Sequence, residues 1–168
     1  MGVDWGYTAA SSGFAPAASA TDILAIGGKA GAMTKVRRIE VTGKTTGVGE
    51  NTIVDVLCHK RTVATSTGTQ VVVSVVPNGP YPAASCYVTA FTANPTVGNS
   101  TGLLGATRLT LSTTAAAIFS DGDAVFDFSG DPITLPTSAD QVCLNLNGVT
   151  VAGGALRFKV DLLHQPSS

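Results

Sequence analysis

Between Leu156 and Leu162 the chain alternates without a break. Leu156, Phe158, Val160 and Leu162 are apolar, and Arg157, Lys159 and Asp161 are charged. Successive side chains on a strand point to opposite faces, so this pattern specifies a β-strand with one face buried and one in water. The same two-residue period recurs along the chain. Val142, Leu144 and Leu146 alternate with Gln141, Cys143 and Asn145, which are expected to face outward. In Ile53 to Val63, Val54, Val56 and Cys58 alternate with Ile53, Asp55 and Leu57. In Lys35 to Lys44 the expected faces are Arg37, Ile39 and Val41 against Val36, Arg38 and Glu40. Asp22 to Ile26, Ser85 to Thr92, Leu103 to Ser112 and Ala124 to Phe128 read as further strands.

Turn residues separate these runs. Gly27-Gly28-Lys29-Ala30-Gly31, Gly47-Val48-Gly49, Asn94 to Asn99, Asp121-Gly122 and Asn147-Gly148 all break the pattern. Ile133 to Leu135 lies between Pro132 and Pro136, which confines it to a short edge strand. Residues 64–84 are expected to leave the main sheets. There Val71 to Val76 fits a strand or a helical turn, and Pro77, Gly79, Pro80 and Pro82 end it. About eight short strands without a long helical period predict an all-β fold. The expected form is an antiparallel β-sandwich, jelly-roll-like, with an immunoglobulin-like sandwich as second choice. Strand order does not follow from the pattern. Residues 22–168 form the expected sandwich domain, with His164 onward as a tail. Residues 1–21 are small-residue-rich with isolated Trp5, Tyr7 and Phe14. They are expected as an extended N-terminal arm whose three aromatics form an interface; a frayed terminus is the alternative.

Composition narrows the function classes. Charged residues are 12% of the 168, about half the ~25% of an average soluble domain. A charge-poor surface suits a protein that covers much of itself with partners. Net charge is −1 and the ten Lys and Arg are scattered, so the concentrated positive face of a nucleic-acid binder is not expected. No run approaches the ~18 apolar residues of a membrane helix, and the first residues do not read as a signal peptide. Three cysteines, Cys58, Cys86 and Cys143, have neither metal-ligand spacing nor an even count. They are expected as reduced thiols.

Candidate chemistry is sparse. Nucleophilic catalysis needs a Ser or Cys, a His base and an orienting group. The two histidines are His59 and His164. Cys58 adjoins His59, but strand neighbours face apart. Asp121, Asp123, Asp127 and Asp131 have the flavour of a calcium loop without the acidic residue that closes one; a hairpin turn with solvent-facing acids is preferred. The 27–31 turn fits no phosphate-binding pattern. Two carboxylates for glycoside hydrolysis are not nominated by any spacing. Trp5, Tyr7, Tyr81 and Tyr87 are the candidates for a sugar-binding platform. No catalytic, cofactor or metal residue is assigned.

Residues 87–112, Tyr-Val-Thr-Ala-Phe-Thr-Ala-Asn-Pro-Thr-Val-Gly and then Leu-Leu-Gly-Ala-Thr-Arg-Leu-Thr-Leu-Ser, resemble small virion proteins of tailed bacteriophages. Asp22 to Ile26 leading to Val36-Arg-Arg-Ile-Glu-Val41, and Leu144-Asn-Leu-Asn-Gly-Val-Thr-Val151 with the final strand, extend the resemblance over most of residues 22–163. It implies a β-sandwich on a virion, a capsid decoration (cement) protein bound to the major capsid protein, or another head or tail surface component. It carries over no catalytic residue. Such proteins sit at symmetric junctions, so a homo-oligomer is expected, a trimer first, assembled in a host cytoplasm. A carbohydrate- or receptor-binding module of a tail or fibre is the alternative.

Overall fold

The computed structural model describes residues 4–16, 21–45, 52–111, 124–149, 151 and 154–165. These form an antiparallel β-sandwich of two six-stranded sheets. In chain order the strands are β1 (Trp5–Ala10), β2 (Asp22–Gly27), β3 (Met33–Lys44), β4 (Thr52–Arg61), β5 (Gln70–Val73) and β6 (Val75–Pro77). Then come β7 (Tyr87–Phe91), β8 (Ser100–Leu111), β9 (Ala124–Asp127), β10 (Ile133–Leu135), β11 (Gln141–Asn145) and β12 (Ala155–Gln165). The first sheet runs β10-β3-β12-β1-β6, with β9 also on β3, and the second runs β5-β7-β2-β11-β4-β8. β3 neighbours β12 in one sheet, and their chain neighbours β4 and β11 are paired in the other. The β3–β12 ribbon thus folds across from one layer of the sandwich to the other.

The core lies between the layers and follows the alternation. Val54, Val56 and Cys58 from β4 meet Leu156, Phe158, Val160 and Leu162 from β12, all buried. Asp55 and Ile53 face outward. The Pro-flanked Ile133–Leu135 segment is an outer strand, as expected, paired among the described residues only to the start of β3.

Twelve strands among the described residues replace the expected eight or so, for two local reasons. First, residues 5–10 of the expected arm form β1, which lies inside the first sheet between β12 and β6. Tyr7 and Ala9 are fully buried there, and Phe14 bridges Leu156. The described part of the arm therefore belongs to the sandwich itself. Second, Val71 to Val76 is two strands. β5 pairs with β7 in the second sheet, and after Ser74 β6 pairs with β1 in the first. The expected excursion is a crossing between sheets. The last strand is also longer than expected: β12 runs on through His164, which is buried, not a tail.

Two expected face assignments are corrected. In β3 the register with β12 jumps from Arg38 opposite Asp161 to Val36 opposite Leu162. Arg37 is the extra residue of a β-bulge, which resets the alternation. Val36, Ile39 and Val41 are therefore all buried and Arg37 is exposed. In β11, Gln141 and Cys143 are buried along with Val142 and Leu144. The chain after β4 folds back over the outer face of the second sheet and covers them. Cys143 forms a small outer cluster there with Ala25 and Phe91.

A polar lock holds that covering segment. The Arg61 guanidinium donates from Nε and Nη2 to the two oxygens of Asp22, each at 2.7 Å. Its Nη1 donates to the Gly98 carbonyl at 2.7 Å. Thr65 Oγ1 donates to Asp22 at 2.6 Å and accepts from the Gly98 amide. Gln141 accepts from the Thr65 amide at 2.7 Å and donates to the Tyr87 hydroxyl. Gly98 is required here, because a Cβ would lie 1.7 Å from the Val63 carbonyl oxygen. Burial works against the Arg61 charge, and the bonds to Asp22 outweigh it, so its pKa is raised.

Candidate functional site

The turn between β2 and β3, the start of β1 and the segment before β7 meet at one end of the sandwich. They enclose a cleft of about 250 Å³ whose lining includes Trp5, Tyr7, Lys29, Pro82, Ser85 and His164. The turn reaches this position because Gly28 packs against the backbone after β10, where a Cβ would lie 2.6 Å from the Leu135 carbonyl oxygen. The expected Gly-rich turn is thus a turn, and it carries Lys29 to the cleft.

Aromatic rings build one wall. Trp5 and Tyr81 stack with centroids 5.4 Å apart and planes within 5°. Tyr7 lies beneath, its ring edge-on to His164 at 5.8 Å. The Tyr7 hydroxyl donates to the Pro82 carbonyl at 2.9 Å, which ties the 78–85 segment to β1. Burial raises the Tyr7 pKa, with smaller contributions from Cys86 and Tyr81.

His164 forms the floor. Its Nε2 lies 2.8 Å from Ser85 Oγ and its Nδ1 3.1 Å from Thr34 Oγ1. Burial lowers its pKa, and the Lys29 ammonium lowers it further. Ser85 and His164 have the reach of a nucleophile and a base. The third group of such a set is normally a carboxylate that stabilises the imidazolium as it forms. Here it is the neutral Thr34 hydroxyl, and the nearby charge is Lys29. An imidazolium would be opposed on both counts, so the neutral ring is favoured.

Of the three interface aromatics read from the sequence, Trp5 and Tyr7 meet in this cleft. Phe14 is elsewhere, 9% exposed and packed on Phe158 at 5.2 Å. Of the four sugar-platform candidates, Trp5, Tyr7 and Tyr81 come together. Tyr87 lies over Gly27 on the outer face of the second sheet. Ser85 and Lys29 were not singled out by the sequence; a strand ending in the cleft and a turn returning over it are long-range facts. His59 is half-buried on β4, 3.3 Å from Ser100 Oγ, with its pKa lowered by burial and then by Arg61. Cys58 points into the core, its pKa pushed up to about 12 by burial. Of the calcium candidates, Asp121 and Asp123 lie outside the described residues. Asp127 accepts from the Ser129 amide at 2.8 Å, and Asp131 is exposed. Among the described residues, no three His, Cys, Asp or Glu side chains converge on a metal position.

A second feature is spread along the strand edges. No residue from Thr62 to Thr107 carries a formal charge. This stretch holds β5, β6, β7 and most of β8. Among the described residues, β5 and β8 are the outer strands of the second sheet and β6 an outer strand of the first. Val72 is 75% exposed, Val76 56% and Leu103 56%. Outer strands are normally guarded by charges, Pro or bulges. β8 has two bulges, at Leu104 and Thr101. β5 has no bulge against β7, so it presents a regular, uncharged edge.

Compared with protein-family models, curated proteins and solved structures, the chain matches none.

Proposed function

We propose that this protein is a non-enzymatic structural component of a tailed-phage virion, a capsid decoration (cement) protein that binds and stabilises the capsid surface. The observation that carries this reading is the uncharged β5–β6 side. Two outer strands, one from each sheet, lie consecutively in the chain there and leave Val71, Val72 and Val76 exposed. A strand edge without charged guards is a ready template for another chain. Exposed apolar side chains beside such an edge suit burial against a partner. The bacteriophage resemblance of residues 87–112 supplies the setting, and the charge-poor composition agrees with it. The partner is the major capsid protein, and the protein itself forms a homo-oligomer, a trimer first. Co-sedimentation with expanded capsids, together with analytical ultracentrifugation of the free protein, tests this. Binding by an oligomer is the expected result; a monomer that stays in the supernatant overturns it.

A further inference from the structure

We infer that the cleft bounded by Trp5, Lys29 and His164 is a binding site for a carboxylated sugar, seating one pyranose ring against the indole. This goes beyond the assembly reading and does not depend on it. The cleft volume, about 250 Å³, lies just below the ~300–1,000 Å³ of sites for drug-sized ligands. It suits a single small ring. Tyr81 stacks on Trp5 from outside the lining, which fixes the indole plane before any ligand arrives. A pyranose offers a face of C–H groups to such a ring and hydroxyls around its rim. Ser85 Oγ, held by His164 at 2.8 Å, stands ready at the floor for a hydroxyl.

The charge selects the acid. Among the described residues the lining has one cation, Lys29, and no carboxylate. Asp4, which precedes β1, is bound to Lys35 at 2.7 Å. A neutral sugar would leave the exposed Lys29 ammonium to water alone, and a sugar acid would add an ion pair to it.

Trp5 is the only tryptophan of the chain, so tryptophan emission, excited selectively over tyrosine, reports on this cleft alone. The probes are glucuronate, glucose and acetate, titrated into the full chain at millimolar concentration. Glucuronate is expected to give a saturable change, with glucose weaker by about twofold to fivefold, the size of one exposed ion pair's contribution. Acetate is expected to give none. Lys29→Gln, an exposed turn position, is expected to bring glucuronate down to the glucose level while the unfolding curve stays unchanged. Three outcomes overturn the inference: no saturable change with glucuronate, equal binding of glucose, or a response to acetate matching that to glucuronate.

Discussion

Asp22 and Arg61, far apart in the chain, form a two-point ion pair with both bonds at 2.7 Å and both side chains buried. The pair closes the polar lock on the outer face of the second sheet. Removing one partner leaves the other charge buried and uncompensated, which costs roughly 3–5 kcal/mol. Asp22→Asn is expected to lose that much in chemical denaturation. It is also expected to speed hydrogen exchange at the Thr65 amide, which the lock protects through Gln141. An unchanged midpoint would mean that the lock is dispensable.

Tyr7 is fully buried in β1, between β12 and β6. Tyr7→Ala is expected to cost roughly 3–5 kcal/mol, as large-to-small aromatic changes in cores do. Removing the β1 residues altogether is expected to abolish cooperative thermal unfolding, since it strips β6 of its only sheet neighbour among the described residues. A detachable arm would instead leave the melt intact.

The pH dependence follows from His164. Its folded pKa lies below the ordinary value near 6.5, chiefly through burial and also through Lys29. The unfolded chain therefore takes up the proton first as pH falls. Stability is full above about pH 6.5 and declines as pH drops from there towards the folded pKa. His59 shifts in the same direction, by burial and then Arg61. Melting temperature is expected to fall between neutral pH and pH 5, and His164→Gln is expected to flatten that slope more than His59→Gln does, because His164 is the more buried.

All three thiols are buried, and burial raises the pKa of Cys58, Cys86 and Cys143. The thiolate is the reactive form. An aromatic disulfide reagent at pH 8 is expected to leave the native protein unlabelled and to titrate all three cysteines once denaturant is added. Fast labelling of the native state would show that the sandwich opens readily at one of these positions.

Val72 on β5 is 75% exposed. Val72→Lys places a charged guard on that edge. Its effect on stability is expected to stay within about 0.5 kcal/mol, as for other exposed positions. Its effect on capsid co-sedimentation or on the oligomer is expected to be large. Leu103→Lys, on the bulged β8, is the comparison and is expected to act less.

The strands with one wet face were legible from their alternation. β12 and β4 carry the faces that the pattern assigns, because one side meets the core and the other meets water. Three other features depend on what lies across from a residue. Arg37 occupies a bulge that only the β12 register defines. Cys143 and Gln141 alternate like outward residues, but the segment after β4 covers their side. Val71 to Val76 carries no mark at Ser74 of a change of sheet, since valine suits either. The cleft was half legible. Its aromatics stood out as isolated rings in small-residue surroundings, whereas Lys29 and Ser85 gain meaning only from the folding of a turn and a pre-strand segment towards β1.

The position of β1 also bears on how the molecule comes into being. Trp5 pairs opposite His164, so the first described strand finds its main neighbour only in the last. On a ribosome, β1 must wait, with Tyr7 and Trp5 uncovered, until β12 has been synthesised. Closing so long a loop before any reward arrives slows folding. The sandwich therefore completes itself only once β12 has been synthesised, and a chain stalled short of β12 is expected to expose aromatic surface that chaperones or aggregation will claim.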